Sequence, residues 1–465
     1  MPSQVQALVI GAGISGLTAA YALQKSGTSV IVLESSSRPG GVIQSVRREG
    51  FLIECGPQSF AGNASITSIC SDLGILDQRI VADSKAPRFV LIDGKLINVP
   101  MGPGLIASTF FGGGTRLALL RDLFGSTQPP EMDESIGDFA RRKLSATFLE
   151  RLLAPFVSGI YAGDPERLSL RAAFPILHEA EVTRGSLIRG GFAMMKERKA
   201  KRGNTPREKP TLQTFREGND TLIRALAKEL DERVMCNSEV TAVTAMDCGR
   251  EAKAPRFRVT VRNGGSEERI ESERLVLANS PLGAGRALAS LNPEFGAQLA
   301  AIEYAAIAVV SLGYRKPHVG HSLGGFGFLI PRSSGLNALG SVWNSSLFPG
   351  RAPEGYALLT SFVGGATNPG IVQKSPDELV DLVHHEIAPI LSIRNQPVFS
   401  NVTIWPRALP QYNLGYTARL AAIEKLRAGY PGLHLAGNFL KGPAMGTCIE
   451  EALKVADEIR VSFAN

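Results

Sequence analysis

The chain has 465 residues, 44 % of them hydrophobic and 20 % charged, with 49 glycines. That length implies two or three structural lobes, and the composition excludes extensive disorder. The net charge of +7 does not mark a nucleic-acid-binding face, because residues 196–210 alone hold seven Lys or Arg against two Glu. This stretch is expected to be a solvated linker, with contact to anionic lipid headgroups as the sharper alternative.

In chain order, residues 5–10 (VQALVI) are β-branched and apolar, which predicts a buried parallel strand. It runs into Gly11-Ala12-Gly13-Ile14-Ser15-Gly16, then a helical pattern with Ile14, Leu17 and Tyr21 on one face, ending at Gly27. Ser29–Leu33 predicts a second strand, closed by Glu34. Gly11 permits the tight turn, Gly13 lets backbone approach a pyrophosphate, and Gly16 lets the helix lie close on the strand. The pyrophosphate would rest on the free N–H groups at the helix N-terminus, and Glu34 would accept from ribose hydroxyls. An acid there disfavours a 2′-phosphate, so NADP is not the expected ligand.

Arg38-Pro39-Gly40-Gly41 follows, then a strand and a small turn over 51–59 (FLIECGPQS). Phe215–Leu222 leads into a helix to Leu230, with Asn219 or Asp220 as its N-cap. Glu239–Val243 predicts a strand, Arg256–Val261 one arm of a hairpin turning at Asn263-Gly264-Gly265, and Arg274–Ala278 a further strand. At the far end come a strand at Leu433–Gly437, a glycine-rich turn at Asn438–Gly446 and a helix at Thr447–Ala456.

The glycine fingerprint, the acid, the RPGG element, the F-x-x-E-x-G-P element and the C-terminal strand, turn and helix resemble the FAD-containing amine oxidase superfamily. The resemblance implies an α/β fold, with a Rossmann-type FAD-binding domain assembled from discontinuous segments 1–80, 212–295 and 402–465. It implies a mixed-sheet substrate domain over 81–95, 171–211 and 296–401, and a helical lobe over 96–170 whose apolar stretches either dock on a membrane or pack as core. It further implies that FAD, held non-covalently, contacts Gly11, Ala12, Gly13, Ile14, Ser15, Gly16, Glu34, Ser35, Arg38, Gly41 and Val42. The same carry-over adds Gly56, Pro57, Gln58, Ser59, Val240, Trp405, Asn438, Pro443, Ala444 and Met445. Cys448 is expected to be a buried, inert thiol.

No second nucleotide fingerprint is present, so an oxidase or dehydrogenase taking electrons from an organic substrate is expected. Within the superfamily the chain resembles the protoporphyrinogen oxidases, through GAGISGL (11–17), GPQSF (56–60), PRFVLIDGKLINVP (87–100), FVSGIYAGDPERLS (156–169) and GGFGFLIP (324–331). LGSVWNSSLFPGRAP (339–353) and the C-terminal GPAMGTCIEEA continue it. That resemblance implies an apolar macrocycle with carboxylate arms as substrate, with Arg88 pairing a propionate. Gly159 would bring backbone close to the ring, and Phe328 and Trp343 would pack on pyrroles, although the family more often has Phe at the second position. A meso methylene would give up a hydride to flavin N5 while a pyrrole N–H loses its proton, three rounds removing six electrons with dioxygen as acceptor. No side chain is expected to be catalytic in its own right, because the cofactor carries the chemistry.

Cys55, Cys70, Cys236, Cys248 and Cys448 are widely spaced and form no CxxC pair, so neither a disulfide framework nor a metal site is expected. His384 and His385 fall in a charge-flanked helical stretch expected to face solvent. The nucleotide strand begins within about ten residues of Met1 and no long apolar run exists, which leads to a cytoplasmic protein, peripheral on the inner face of the membrane at most. Monomer and homodimer both stay open. Three alternatives stand: a coproporphyrinogen oxidase using the same flavin chemistry, another superfamily enzyme such as an amine oxidase, or a non-catalytic flavin or porphyrin binder.

Overall fold

Gln4–Ile10 forms the strand that its apolar residues favour, and it lies inside a seven-stranded sheet. This computed structural model describes residues 3–99, 113–202, 211–246 and 256–464. From one edge the sheet runs Val234–Met235, Val30–Leu33, Gln4–Ile10 and Ser266–Leu277, all parallel. Leu433–Leu435 adds in parallel to the end of Ser266–Leu277. Arg256–Asn263 pairs antiparallel with the other half of that long strand, and Ser238–Met246 closes the edge. The hairpin turns at Gly264 (φ 55°) and Gly265 (φ 93°), a left-handed pair that glycine adopts without strain. Early, middle and late stretches of chain thus share one sheet.

Alternation along the central strands fills a core on each face. Leu8, Ile10 and Leu33 point into one cluster, and Ala7, Val9 and Val32 into the other. The helix Ile14–Lys25 is buried on more than its predicted stripe, because it is sandwiched between the helices Asp220–Leu230 and Met445–Ala464.

A second sheet runs, edge to edge, Phe399–Pro410, Tyr304–Arg315, Tyr356–Gly364, Ala338–Val342, Gly327–Leu329, Arg88–Ile92 and Lys95–Asn98. One face packs Ala308, Val310 and Leu312 on Leu379, Val383 and Ile387 of the helix Pro376–Leu391. The other face looks toward the helix Ala154–Tyr161. The domain boundary expected at residue 402 falls inside the edge strand Phe399–Pro410, so it moves to that strand's end.

The helices Pro175–Arg184 and Leu187–Arg202, expected with the substrate sheet, pack instead with Gly113–Phe124 and Ile136–Lys143 in the helical lobe. Buried ion pairs fix that arrangement: Lys143 Nζ lies 2.8 Å from Asp122 and Arg142 Nη1 2.6 Å from Glu181.

Three expectations are corrected. The linker does not begin at Lys196, because one helix continues to Arg202; Lys, Arg, Glu and Ala all favour helix intrinsically. Residues 203–210 lie outside the described residues, as do Cys248 and most of the apolar stretch at 100–114. His384 is buried rather than solvent-facing, with Nδ1 3.0 Å from the Tyr314 hydroxyl, and burial holds its imidazole below the usual histidine range. His385 does face solvent. Asn219 stands at the N-cap position of Asp220–Leu230, but its side chain caps nothing: Oδ1 accepts from Thr214 and Nδ2 donates to Pro57 O.

Candidate functional site

The first helix begins at Gly13, whose missing side chain faces open space: a Cβ added there would meet no atom within 4 Å. Gly41 approaches the same space, its nearest such neighbour being the Gly13 Cα at 3.8 Å. Gly40 N–H donates to Ala12 O at 2.8 Å, so the RPGG loop is laid directly against the fingerprint. Gly16 behaves differently: a Cβ there would stand 1.9 Å from Gly11 O, which makes it a packing glycine. Gly11 (φ 102°) turns tightly beside Asn279, whose Oδ1 is buried without a partner among the described residues.

Glu34 closes the second strand, and its carboxylate accepts from Ala12 N at 2.8 Å and from Ser36 N at 2.9 Å. It therefore braces the glycine loop, while Ser35 beside it is exposed. Ser238 N–H donates to Glu34 O at 2.8 Å, which sets the start of the strand carrying half-buried Val240 next to the same acid. Arg38 turns its guanidinium inward onto its own loop, donating to Gly41 O at 2.7 Å.

The helix Met445–Ala464 packs along the first helix, and near its start Cys448 Sγ donates to Gly442 O at 3.7 Å. Neither helix carries an acidic residue in its first turn, so each N-terminus suits an anionic, phosphate-containing ligand. The bare glycines, the acid-free start of the first helix, the orphaned Asn279 oxygen and the acid at the strand end fit a dinucleotide cofactor. Burial pushes the Cys448 thiol up to about 11, so it is inert as a nucleophile at neutral pH. Asn438–Lys441, expected as part of a glycine-rich turn, forms a single helical turn; Pro443 and Ala444 lead from it into the last helix, and Met445 is that helix's first, buried residue.

Between the two sheets lies the element 54–59. Gly56 is obligatory there, since a Cβ would stand 2.0 Å from Val42 O. Gln58 is buried, donating to Glu54 O and Gly56 O and accepting from Asn344 at 2.7 Å, so it joins the sheets. Trp405 Nε1 donates to Cys55 O at 2.6 Å from the second sheet. Pro57 receives Asn219, and half-buried Ser59 completes the turn. Below it, Glu54 and Arg351 form a fully interior ion pair at 2.7 Å. Burial pushes the Glu54 carboxyl up, against the pull of Arg351, the Ser45 hydroxyl and Asn219 N–H.

The substrate residues do not all converge. Arg88 pairs in register with Gly327, and Phe328 with Phe89, so Arg88 and Phe328 point to opposite faces of the second sheet. Phe328 and Trp343 pack with each other and the helix Pro376–Leu391 in the core, 3 % and 0 % exposed. On the Arg88 face lie Leu329, Leu339, Phe362 and Trp405 with Ile307 and Val309, an apolar floor that local sequence does not single out. The bulge between Ala338 and Gly340 shifts the alternation there, so parity counted along the chain misassigns the face. Gly159 belongs to this floor's partner: a Cβ on it would stand 2.5 Å from Leu329. The Arg88 guanidinium lies 5.5 Å from the Phe326 ring centroid.

Tyr412 and Tyr416 do not form an open aromatic cage. Their hydroxyls donate to Asn438 O and Phe439 O, and Tyr304 donates to Asn438 Oδ1 at 2.8 Å. Among the described residues no group of three metal-ligating side chains converges, and no helix is long and apolar enough to cross a membrane.

Residues 14–460 match the model of the flavin-containing amine oxidoreductases. The chain is 36 % identical to a chloroplastic protoporphyrinogen oxidase of Oryza sativa subsp. japonica, over 97 % of this chain and 87 % of that one. It is 28 % identical to the coproporphyrinogen III oxidase of Bacillus subtilis, over 98 % of both. The fold matches a solved cyclohexylamine oxidase from Brevibacterium oxydans with a TM-score of 0.71 at 20 % identity, covering the whole of both chains.

Proposed function

The chain belongs to the family of flavin-containing amine oxidoreductases, and from that premise we propose that it oxidises protoporphyrinogen IX to protoporphyrin IX with dioxygen as acceptor. Its cofactor is FAD, which supplies the two-electron chemistry when bound. The chain's own residues would hold it: Gly13 and Gly41 admit the pyrophosphate to the first helix, Glu34 takes the ribose, and the Asn438 turn borders the ring.

The observation that carries the substrate assignment is the apolar face of the second sheet, lined by Leu329, Leu339, Phe362 and Trp405, with Arg88 on the same face beside the Phe326 ring. A large apolar macrocycle fits such a floor, and a guanidinium beside it fits a carboxylate arm.

The helical lobe exposes Leu120, Phe124, Met132, Phe192 and Met195, each at least half accessible. This apolar surface supports peripheral contact with the membrane that would supply a lipophilic substrate.

The test is an aerobic fluorescence assay of the holoprotein on protoporphyrinogen and coproporphyrinogen in parallel. Faster porphyrin formation from the dicarboxylate supports the assignment. Preference for coproporphyrinogen moves the enzyme to that reaction, and turnover of neither rejects the porphyrinogen reading.

A further inference from the structure

The strand Phe399–Pro410 ends at two neighbouring buried residues, Gln411 and Tyr412, 3 % and 2 % exposed. Their side chains serve different parts of the site. Gln411 Nε2 donates to the carbonyl of Tyr161, the last residue of the helix Ala154–Tyr161, at 2.9 Å. Tyr412 donates its hydroxyl to Asn438 O in the turn beside the cofactor space, while its ring meets the Tyr161 ring edge-on at 5.7 Å. Both therefore act on Tyr161, one on its backbone and the other on its ring.

The helix they hold is short and unusual at both ends. It follows a π-helical turn at Leu149–Leu153, a feature that relaxes the regular ladder. It stops at Ala162, which is left-handed (φ 49°) although it carries a Cβ, so local preference alone does not set this end. Tertiary contacts do. Ala366 N–H donates to Ala162 O at 2.7 Å, and Gly365 is obligatory beside it, since a Cβ there would stand 2.7 Å from the same oxygen. Gly163 leaves room first for Leu168 Cδ1, which would lie 2.5 Å from a Cβ at that position, and then for Gln411 Oε1 at 3.1 Å. On the other side Tyr304 and Tyr416 hold Asn438 Oδ1 and Phe439 O, so the turn is as fully tied as the helix end.

We propose that Gln411 and Tyr412 act as one positioning device, coupling the end of helix 154–161, with Gly159 above the apolar floor, to the Asn438 turn. This rests on the reading that Gly159 and Asn438 border the reaction site. Neither residue is catalytic. Their effect is to fix the distance between what lies over the substrate and what lies beside the cofactor.

Hydrogen exchange on the FAD-loaded protein tests the coupling without any substrate, following amides 154–163 and 437–441. With one device, Gln411→Met and Tyr412→Phe each speed exchange in both segments, by about fivefold for the loss of a single hydrogen bond. If each variant loosens only the segment it touches, the coupling is overturned. Steady-state kinetics give the functional arm: Gln411→Met raises the porphyrinogen KM by about fivefold with kcat changed less than about twofold at equal FAD content. Faster exchange in both segments with KM unchanged overturns the positioning role. Should Gln411→Met not fold, Gln411→Asn keeps a buried amide but cannot reach Tyr161, and the same outcomes apply. Absence of turnover in the wild type would reject the porphyrinogen reading, and the exchange result would still support or overturn the coupling.

Discussion

Arg88 and Phe328 lie on adjacent parallel strands, one register position apart, with their side chains on opposite faces of the sheet. Substitution should separate them cleanly. On the proposed pairing of Arg88 with a substrate carboxylate, a charge-assisted contact worth about 1.5–3 kcal/mol, Arg88→Ala should raise the porphyrinogen KM roughly tenfold to a hundredfold. Phe328→Ala opens a cavity beneath Pro376–Leu391 and should cost about 3–5 kcal/mol in urea unfolding, with KM within about twofold. A KM effect from Phe328→Ala at full stability would place its ring in the site after all.

The Glu54–Arg351 pair spans the junction of the two sheets with both side chains only 2 % exposed. Arg351 also reaches Thr214 and Phe215 O, and Glu54 accepts from Ser45 at 2.6 Å and Asn219 N at 3.0 Å. Breaking one partner strands a buried charge, so Glu54→Leu or Arg351→Met alone should cost about 3–5 kcal/mol. The double variant should recover a substantial part of that loss. Denaturant unfolding in a double-mutant cycle measures it; strictly additive losses would mean that the two charges do not stabilise each other.

Short-range signals are legible in the sequence and long-range ones are not. The strand, glycines, helix, strand and acid of the first 34 residues sit in consecutive sequence, and each has a local steric reason. The hairpin at Gly264-Gly265 is equally readable, because its turn requires positive φ. Glu54 stands inside a recognisable motif, yet its partner lies 297 residues away, and nothing local distinguishes Arg351 among fifty Lys and Arg. Phe328 and Trp343 escape for a different reason. Which face Phe328 occupies depends on the register of its strand against Arg88–Ile92, a segment from far earlier in the chain, and no local pattern gives that register. His384 is misleading because its flanking charges suggest solvent, whereas its own position on the helix faces Tyr314.

Gly13 and Gly16, three residues apart, should respond oppositely to alanine. At Gly13 the protein itself leaves room, so Gly13→Ala should preserve the thermal stability of the FAD-free protein. Its methyl would occupy the space that the pyrophosphate needs, and FAD affinity should fall by about tenfold or more, measured by fluorescence titration of the apoprotein. At Gly16 the methyl meets backbone at 1.9 Å, so Gly16→Ala should destabilise the apoprotein itself. Equal FAD affinity in Gly13→Ala would move the cofactor away from this helix end.

His434 gives the enzyme an acid-side limit to stability. It lies in the strand Leu433–Leu435, where burial, then Arg427 and Arg274, hold its imidazole down at about 4. Glu458 approaches Nδ1 at 3.5 Å, but it is 66 % exposed and opposes this only weakly. In the unfolded chain the ring titrates near 6.5 and binds a proton that the folded protein refuses. Stability is therefore intact above about pH 6.5 and falls as pH drops toward about 4, by roughly 3 kcal/mol when the folded ring finally charges. His384, also held low by burial, adds to the loss on the same side. His434→Gln should flatten, without abolishing, the decline of the urea midpoint between about pH 7 and pH 5. A variant that keeps the full wild-type slope would show that the acid sensitivity originates elsewhere in the fold.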